Sequence, residues 1–302
     1  MKQKLAIGID LGGTNVKGVL IQEDGEVLRE MQEPLLDILP NGEEPPRHWK
    51  NVVRLMAEDL EKERTVEVMG LSAPGLPDEK NESIAFMPGR LSGLEDLHWG
   101  NYLGKEKVCV LNDAQSALIA ECAFGAGKGV ENIVMLTLGT GVGGGIMIDG
   151  KVHQGYGQRA GHLGHIVVDS TLPQGITGTP GSLEEAIGNS TVEKRSSGRF
   201  KTTTELVKAF KNGNALACHV WLDSVRKLAV GISSLCNAIS PELVILGGGI
   251  SKAGDALFNP LEEFLEVYEW RPGGLKTLVK KAELNEFSGA IGVAAFALKE
   301  NQ

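Results

Sequence analysis

Two glycine-rich stretches carry the residue types that could hold a charged ligand: Asp10-Leu-Gly-Gly-Thr-Asn15 with Lys17 just beyond it, and Thr137-Leu-Gly-Thr-Gly141 running on into Val142-Gly-Gly-Gly145. Each is followed by an apolar run of strand type. Gly-x4-Gly-Lys-Ser/Thr is absent, which excludes a Walker loop, and the strand that follows each turn in place of a helix excludes a dinucleotide-binding fingerprint. Glycine β-turns nonetheless let backbone N–H groups approach phosphate oxygens and hold them by fixed dipoles. Two such turns suit a polyphosphate, with Gly12, Gly13, Thr14, Asn15 and Lys17 as candidates in the first and Thr137, Gly139, Thr140 and Gly141 in the second. A carboxylate at the entrance to such a turn repels phosphate unless a hydrated divalent cation lies between them, so Asp10 implies Mg²⁺. The competing reading makes the glycines ordinary hairpin residues and Asp10 an Asx-turn; the pairing of two turns weighs against it.

The elements that must position these residues follow one plan twice. Leu5 to Asp10 alternates as a strand, Val16 to Ile21 resumes after the glycines, and Asp24-Gly25 signals a hairpin. Ile133 to Leu138, Ile146 to Ile148 and Asp149-Gly150 repeat that order. The repeat predicts two related α/β lobes around a cleft, with a boundary near 113. Val108 to Leu111 reads as a strand, and Asn112-Asp113 opens an Ala-rich helix ending near Gly125. Val225, Leu228, Ile232, Leu235 and Ile239 step by three and four, marking a long helix stopped by Ser240-Pro241. Leu243 to Leu246 is a short strand entering Gly247-Gly248-Gly249, with a second helical stretch through Leu257 to Tyr268, and Thr202 to Phe210 forms another capped helix.

Composition excludes several classes of function. A chain of 302 residues supports about two domains. Thirty Lys+Arg against 39 Asp+Glu give a net charge of −9, which disfavours nucleic acid and anionic membranes as partners. Forty glycines are nearly twice the usual ~7% and are expected in special loops. Cys109, Cys122, Cys218 and Cys236 share no CxxC spacing and suit buried thiols in a reducing compartment. No apolar stretch matches a signal peptide or a membrane span, so a cytoplasmic protein is expected.

Gly8-Ile-Asp-Leu-Gly-Gly-Thr-Asn15 with Lys17, Leu111-Asn-Asp113, Leu138-Gly-Thr-Gly-Val-Gly-Gly144, Gly164-His165 and Leu246-Gly-Gly-Gly249 together resemble the ROK family of sugar kinases, repressors and uncharacterised reading frames, in family order. The resemblance implies an actin-like, hexokinase-type ATPase fold of the ribonuclease H-like kind. It divides the chain into a first lobe over 1–113 and a second over 114–289, with a C-terminal helix over 290–302 packing back on the first. It implies phosphoryl transfer from ATP with Mg²⁺ to a hexose hydroxyl, as in glycolysis. Asp113 becomes the base and Asn112 a sugar ligand; Asp113 could otherwise be an ordinary acid stabilised at a helix N-terminus. Glu184, in Gly181-Ser-Leu-Glu184, would bind sugar hydroxyls, whereas Ser182 and Glu185 have capping-box spacing. By the same resemblance Gly75, in Ser72-Ala-Pro-Gly75, corresponds to a sugar-side loop, and Gly247, Gly248 and Gly249 would lie near the nucleotide, although without the resemblance a tight strand-to-helix turn explains them nearly as well. A homodimer follows only by analogy.

Two departures from the family pattern bear on the substrate. Many members read Glu-x-Gly-His where this chain has His162-Leu-Gly164-His165. A carboxylate accepts from two hydroxyls and a neutral imidazole from one, so a lost partner costs about 1–3 kcal/mol and leaves the sugar's identity open. His165 is kept as a sugar contact, with His162 beside it. The family's structural zinc needs three cysteines, and the matching stretch from Gly175 to Ser182 has none. The leading expectation is a glucokinase-like 6-phosphorylation. Its rivals are a kinase for an N-acyl or amino hexose, a polyphosphate-dependent glucokinase, and a sugar-binding protein with weak turnover. A repressor is disfavoured because the first phosphate strand begins near Leu5, before any DNA-binding helices.

Overall fold

The computed structural model describes residues 3–35, 48–62, 64–87 and 91–301. They form two compact units, one of the described residues within Met1–Gly129, Gln154–Arg159 and Glu283–Gln302, the other of Val130–His153 and Ala160–Ala282.

The first unit runs β1 (Leu5–Leu11), β2 (Asn15–Gln22), β3 (Val27–Pro34), α1 (Trp49–Glu61), β4 (Val68–Ala73), β5 (Leu76–Pro77), β6 (Ile84–Phe86), α2 (Trp99–Leu103), β7 (Cys109–Asn112) and α3 (Asp113–Phe124). Its main sheet has the order β3-β2-β1-β4-β7, with β1 antiparallel to β2 and parallel to β4. Strand parity sets the use of each face. Ile7, Ile9 and Leu11 point into a core shared with Val53, Met56 and Leu60 of α1. Each such buried side chain contributes about 1.5–3 kcal/mol relative to exposure. The intervening Ala6, Gly8 and Asp10 therefore lie on the opposite face.

The second unit runs β8 (Ile133–Leu138), β9 (Val142–Ile148), β10 (Lys151–Val152), α4 (Leu183–Ile187), α5 (Val192–Arg195), α6 (Thr203–Lys211), α7 (Ala215–Ile239), β11 (Leu243–Gly247), α8 (Asp255–Tyr268) and β12 (Leu278–Lys281). Its sheet order, β10-β9-β8-β11-β12, repeats the first unit's strand for strand, with β8 antiparallel to β9 and parallel to β11. Alternate residues Val134, Leu136 and Leu138 of β8 join Val225, Leu228 and Ile232 of α7 in one core. Asn214 caps α7 by accepting from the Ala217 amide, and Ser240 ends it in the left-handed conformation.

After β12 the chain returns to the first unit as α9 (Ser288–Glu300). This helix occupies the face of β1 that carries Ala6, and it meets Ala120 of α3 there. Small residues permit the approach: a Cβ on Gly8 would collide with the Ala290 carbonyl, and one on Gly292 with the Ser116 carbonyl. The boundary expected near 113 thus falls inside the first unit, because α3 packs on α9 and keeps the chain through Gly129 with the first sheet. Gln302, the last residue of the expected C-terminal helix, lies outside the described residues.

The glycine excess is only partly a matter of loops. Gly143, Gly144 and Gly145 belong to β9, and the second turn is confined to Gly139–Gly141. Gly144 has a packing reason, since a Cβ there would lie 2.8 Å from the Met135 oxygen and 2.9 Å from the Gly161 oxygen. Among the described residues, no helix is long and apolar enough to cross a membrane.

Candidate active site

In the first unit, β1 delivers Asp10 and the turn after it. The turn closes with the Gly12 amide donating to the Asn15 oxygen at 3.0 Å, leaving Gly13 and Thr14 exposed. Asn15 donates from Nδ2 to Thr14 Oγ1 at 3.3 Å. The neighbouring strand β4 sets Ser72 in register with Asp10, and Ser72 Oγ donates to Asp10 Oδ1 at 2.6 Å. The start of α9 lies against the same carboxylate: a Cβ on Gly289 would stand 2.7 Å from Asp10 Cγ. Burial raises the Asp10 pKa to about 6; the Ser72 bond opposes the shift, the Asp113 charge adds to it and the Lys17 charge opposes it.

Asp113 is the first residue of α3, where β7 ends. Asn112 caps that helix, its Oδ1 accepting from the Ala114 amide at 3.0 Å and the Gln115 amide at 3.4 Å. Its Nδ2 donates to the Gly75 oxygen at 3.0 Å, so one side chain fixes both the helix start and the Gly75 loop. Gly75 has φ of +105°, and a Cβ there would lie 2.7 Å from the Phe86 oxygen. Asp113 Oδ1 accepts from the Ala114 amide at 2.8 Å. The residue stays open to solvent, yet the surrounding protein strips enough water from its carboxyl to hold it above the ordinary carboxylate range, against the lowering effect of the local amides and Asn112. The first unit therefore gathers Asp10, Ser72, Gly75, Asn112 and Asp113 into one neighbourhood.

Lys17, paired with Asp10 in the β1–β2 register, reaches the C-terminal return instead of lying free. Its Nζ donates to the Glu286 carboxylate at 2.8 Å and to the Glu286 carbonyl at 3.1 Å, and sits 5.7 Å from the Phe287 ring centre. A phosphate ligand would have to share or replace these partners.

In the second unit, Thr137 lies in register with Gly143 on β9 and Gly247 on β11. Gly248 packs on the end of β8, where a Cβ would collide with the Leu138 carbonyl, and its φ is +81°. The loop 247–249 is thereby placed beside the second turn, with Gly249 in open space. The turn itself is tied down: the Gly139 amide donates to the Gly141 oxygen at 2.9 Å, and the Asn189 and Ser190 amides donate to the Gly139 and Thr140 oxygens, each at 3.0 Å.

Glu184 enters this same arrangement. Its Oε2 accepts from the Val142 amide at 3.0 Å and occupies the space a Cβ on Gly141 would need. Glu185 does not complete a capping box. Ser182 Oγ accepts from the Glu185 amide at 3.2 Å, but the Glu185 carboxylate pairs with Lys194 at 2.9 Å. His162 and His165 stack with ring centres 6.5 Å apart and planes within 6°. Burial, with the neighbouring His165, holds His162 below the ordinary imidazole range. Gly164 carries them close to β9, since a Cβ there would collide with the Val142 carbonyl. Asp169, four residues beyond His165, is held down to about 2 by Thr171 and Lys227. Among the described residues no group of three or more His, Cys, Asp or Glu could hold a metal ion.

Sequence reading missed the contacts of Ser72, Glu286 and Gly289 around Asp10 and Lys17, and the Glu184 contact with the second turn. Each joins residues at least 42 positions apart, and no local spacing signals them.

Comparison with known proteins gives this geometry a context. A glucokinase of Thermotoga maritima is 32% identical over 314 residues, covering 96% of this chain and 96% of that one. An N-acetylmannosamine kinase of Vibrio cholerae is 28% identical over 306 residues, covering 97% and 99%. The crystal structure of a ROK hexokinase from Thermus thermophilus matches with a TM-score of 0.86 at 27% identity, covering 98% and 99%. The duplicated five-stranded sheets have the actin-like, hexokinase-type ATPase fold. Residues 6–300 match the ROK family, and this chain belongs to it.

Proposed function

We propose that this chain is a glucokinase-like hexose kinase that transfers the terminal phosphoryl group of ATP to the primary hydroxyl of its sugar. The observation that carries the reading is the pair of carboxylates in the first unit, Asp10 and Asp113, each raised by the loss of water around its carboxyl, with the Asp113 charge felt at Asp10. Two such groups can divide the work, one toward a cation and one toward a proton.

Asp113, open to solvent and elevated in pKa, accepts the proton of the attacking hydroxyl. Asn112 holds the Asp113 backbone and the Gly75 loop in fixed relation. Glu184, His165 and His162 orient sugar hydroxyls, and Gly12–Lys17, Thr137–Gly141 and Gly247–Gly249 receive the nucleotide. Asp10 fits a hydrated Mg²⁺: burial and the neighbouring Asp113 charge disfavour its bare anion, and the single Ser72 bond leaves it lone pairs for bound water. When bound, Mg²⁺ neutralises charge developing on the phosphate oxygens. The net charge of −9 and the free thiols suit work in the cytoplasm on small molecules without nucleic acid. A homodimer is proposed by family analogy.

The test is turnover with glucose, mannose, fructose, glucosamine and N-acetyl hexoses, each offered ATP or polyphosphate with Mg²⁺. Glucose with ATP is expected to give the highest kcat/KM. Preference for an N-acetyl sugar, or for polyphosphate, would reassign the acceptor or the donor; sugar binding with no ADP formed would remove the kinase assignment.

A further inference from the structure

One carboxylate in the second unit serves two ligand sites at once under the function proposed above. Glu184 is a candidate sugar ligand, yet its Oε2 already accepts from the Val142 amide, at the exit of the second phosphate turn. The same oxygen fills the space above the Gly141 Cα. The segment after α4 adds two more ties, from the Asn189 and Ser190 amides to the Gly139 and Thr140 oxygens. Gly188 lies close under the turn as well, where a Cβ would stand 3.1 Å from the Thr140 oxygen. The helix that presents Glu184 and the turn proposed for phosphate are therefore linked at Gly139, Thr140, Gly141 and Val142.

We infer that the Glu184–Gly141/Val142 contact couples hexose binding to nucleotide binding. Hydroxyls donating to Glu184 fix the orientation of its carboxylate, and that carboxylate fixes the Val142 amide and the turn beside it. A nucleotide arriving second then meets a turn already ordered and loses less conformational entropy on binding. Linkage requires the converse, so nucleotide tightens hexose by the same factor. Glycine is needed at 141 because any side chain there displaces the Glu184 carboxylate. Glu185, the next residue of α4, is instead paired with Lys194 at 2.9 Å and takes no part in the contact.

The experiment is calorimetric titration of glucose with and without saturating magnesium AMPPNP, and of magnesium AMPPNP with and without glucose, which reads binding apart from turnover. Wild-type protein is expected to show at least fivefold mutual tightening. Gly141→Ala should bring the factor to near one, whereas Glu185→Gln, which breaks only the Lys194 pair on the same helix, should keep the wild-type factor. Glu184→Asp, whose shorter side chain cannot span both partners, gives a second route to the same loss without changing any residue of the turn. Equal tightening in wild type and in both the Gly141→Ala and Glu184→Asp proteins, equal loss in Glu185→Gln, or independent binding by the wild type would overturn the coupling while leaving the kinase assignment intact. Failure of either ligand to bind the wild type would instead bring down that assignment and the coupling with it.

Discussion

Asp10 in the first unit and Thr137 in the second occupy matching places: each is two residues before a glycine turn, on the central strand, beside a parallel neighbour. In the first unit that neighbour is Ser72, which donates to the carboxylate; in the second it is Gly247. Across the hairpin, Asp10 faces Lys17 in register and Thr137 faces Gly143. The duplicated backbone offers the same positions twice, but only one copy puts charge into them. At these matching positions charge-dependent behaviour should accordingly belong to the first unit, and the second should contribute amides, hydroxyls, the His162 and His165 imidazoles and the Glu184 carboxylate.

The largest test of that division is Asp113→Asn, expected to lower kcat by roughly 10²–10⁴-fold with glucose binding retained. Near-normal turnover in steady-state kinetics would remove the proposed base.

A second test uses pH. Asp10 loses its proton near 3.8 when unfolded and near 6 when folded. Between those values the folded state binds more protons, so its stability is greatest at the acid end and is lost as pH rises through about 6. The difference of 6 − 3.8 is about 2 units, on the order of 3 kcal/mol. Denaturant titrations in chelator from pH 4 to 7 should show this fall, Asp10→Asn should flatten it, and Mg²⁺ should stabilise the wild type more at pH 7 than at pH 5. A profile unchanged by Asp10→Asn would contradict the raised carboxyl.

Glycine packing gives a smaller contrast. Gly8→Ala drives a Cβ into the Ala290 carbonyl and should cost about 1–3 kcal/mol. Gly139→Ala, in open space, should stay within about 0.5 kcal/mol. Similar denaturation midpoints for the two variants would erase the distinction. The smallest effect is expected from Glu286→Ala: the Lys17 ion pair has a 65% exposed carboxylate side, so its loss should cost under about 1 kcal/mol and shrink further in salt. A larger, salt-insensitive loss would mean that Glu286 holds more than this surface pair.

Much of this arrangement was legible because it is local. The alternation of Ile7, Ile9 and Leu11, the Asn112-Asp113 cap and the two glycine turns each declare themselves within a few residues. The recurrence of Asp24-Gly25 at Asp149-Gly150 pointed to the repeated hairpin, and the matching strand orders show how far the repetition extends. The run Gly143–Gly145 read as loop because glycine is ambiguous alone; only the approach of Met135 and Gly161 explains why a strand uses it. Glu184 read as a sugar ligand, but its second attachment depends on a residue 42 positions away. Likewise, the Asp10 environment depends on Ser72 and Gly289, brought in by chain crossovers that periodicity does not encode.

The return of α9 to the first unit has a consequence for biosynthesis. The sheet translated first lacks one of its covering helices until 13 residues near the far end of the chain have been made. Until then the α9-facing side of β1 and the flank of α3 remain uncovered, and nascent protein must be kept from aggregation through most of translation. The Asp10 carboxylate gains its neighbour Gly289 only in that last step, so the surroundings of the proposed cation ligand are complete only when folding is.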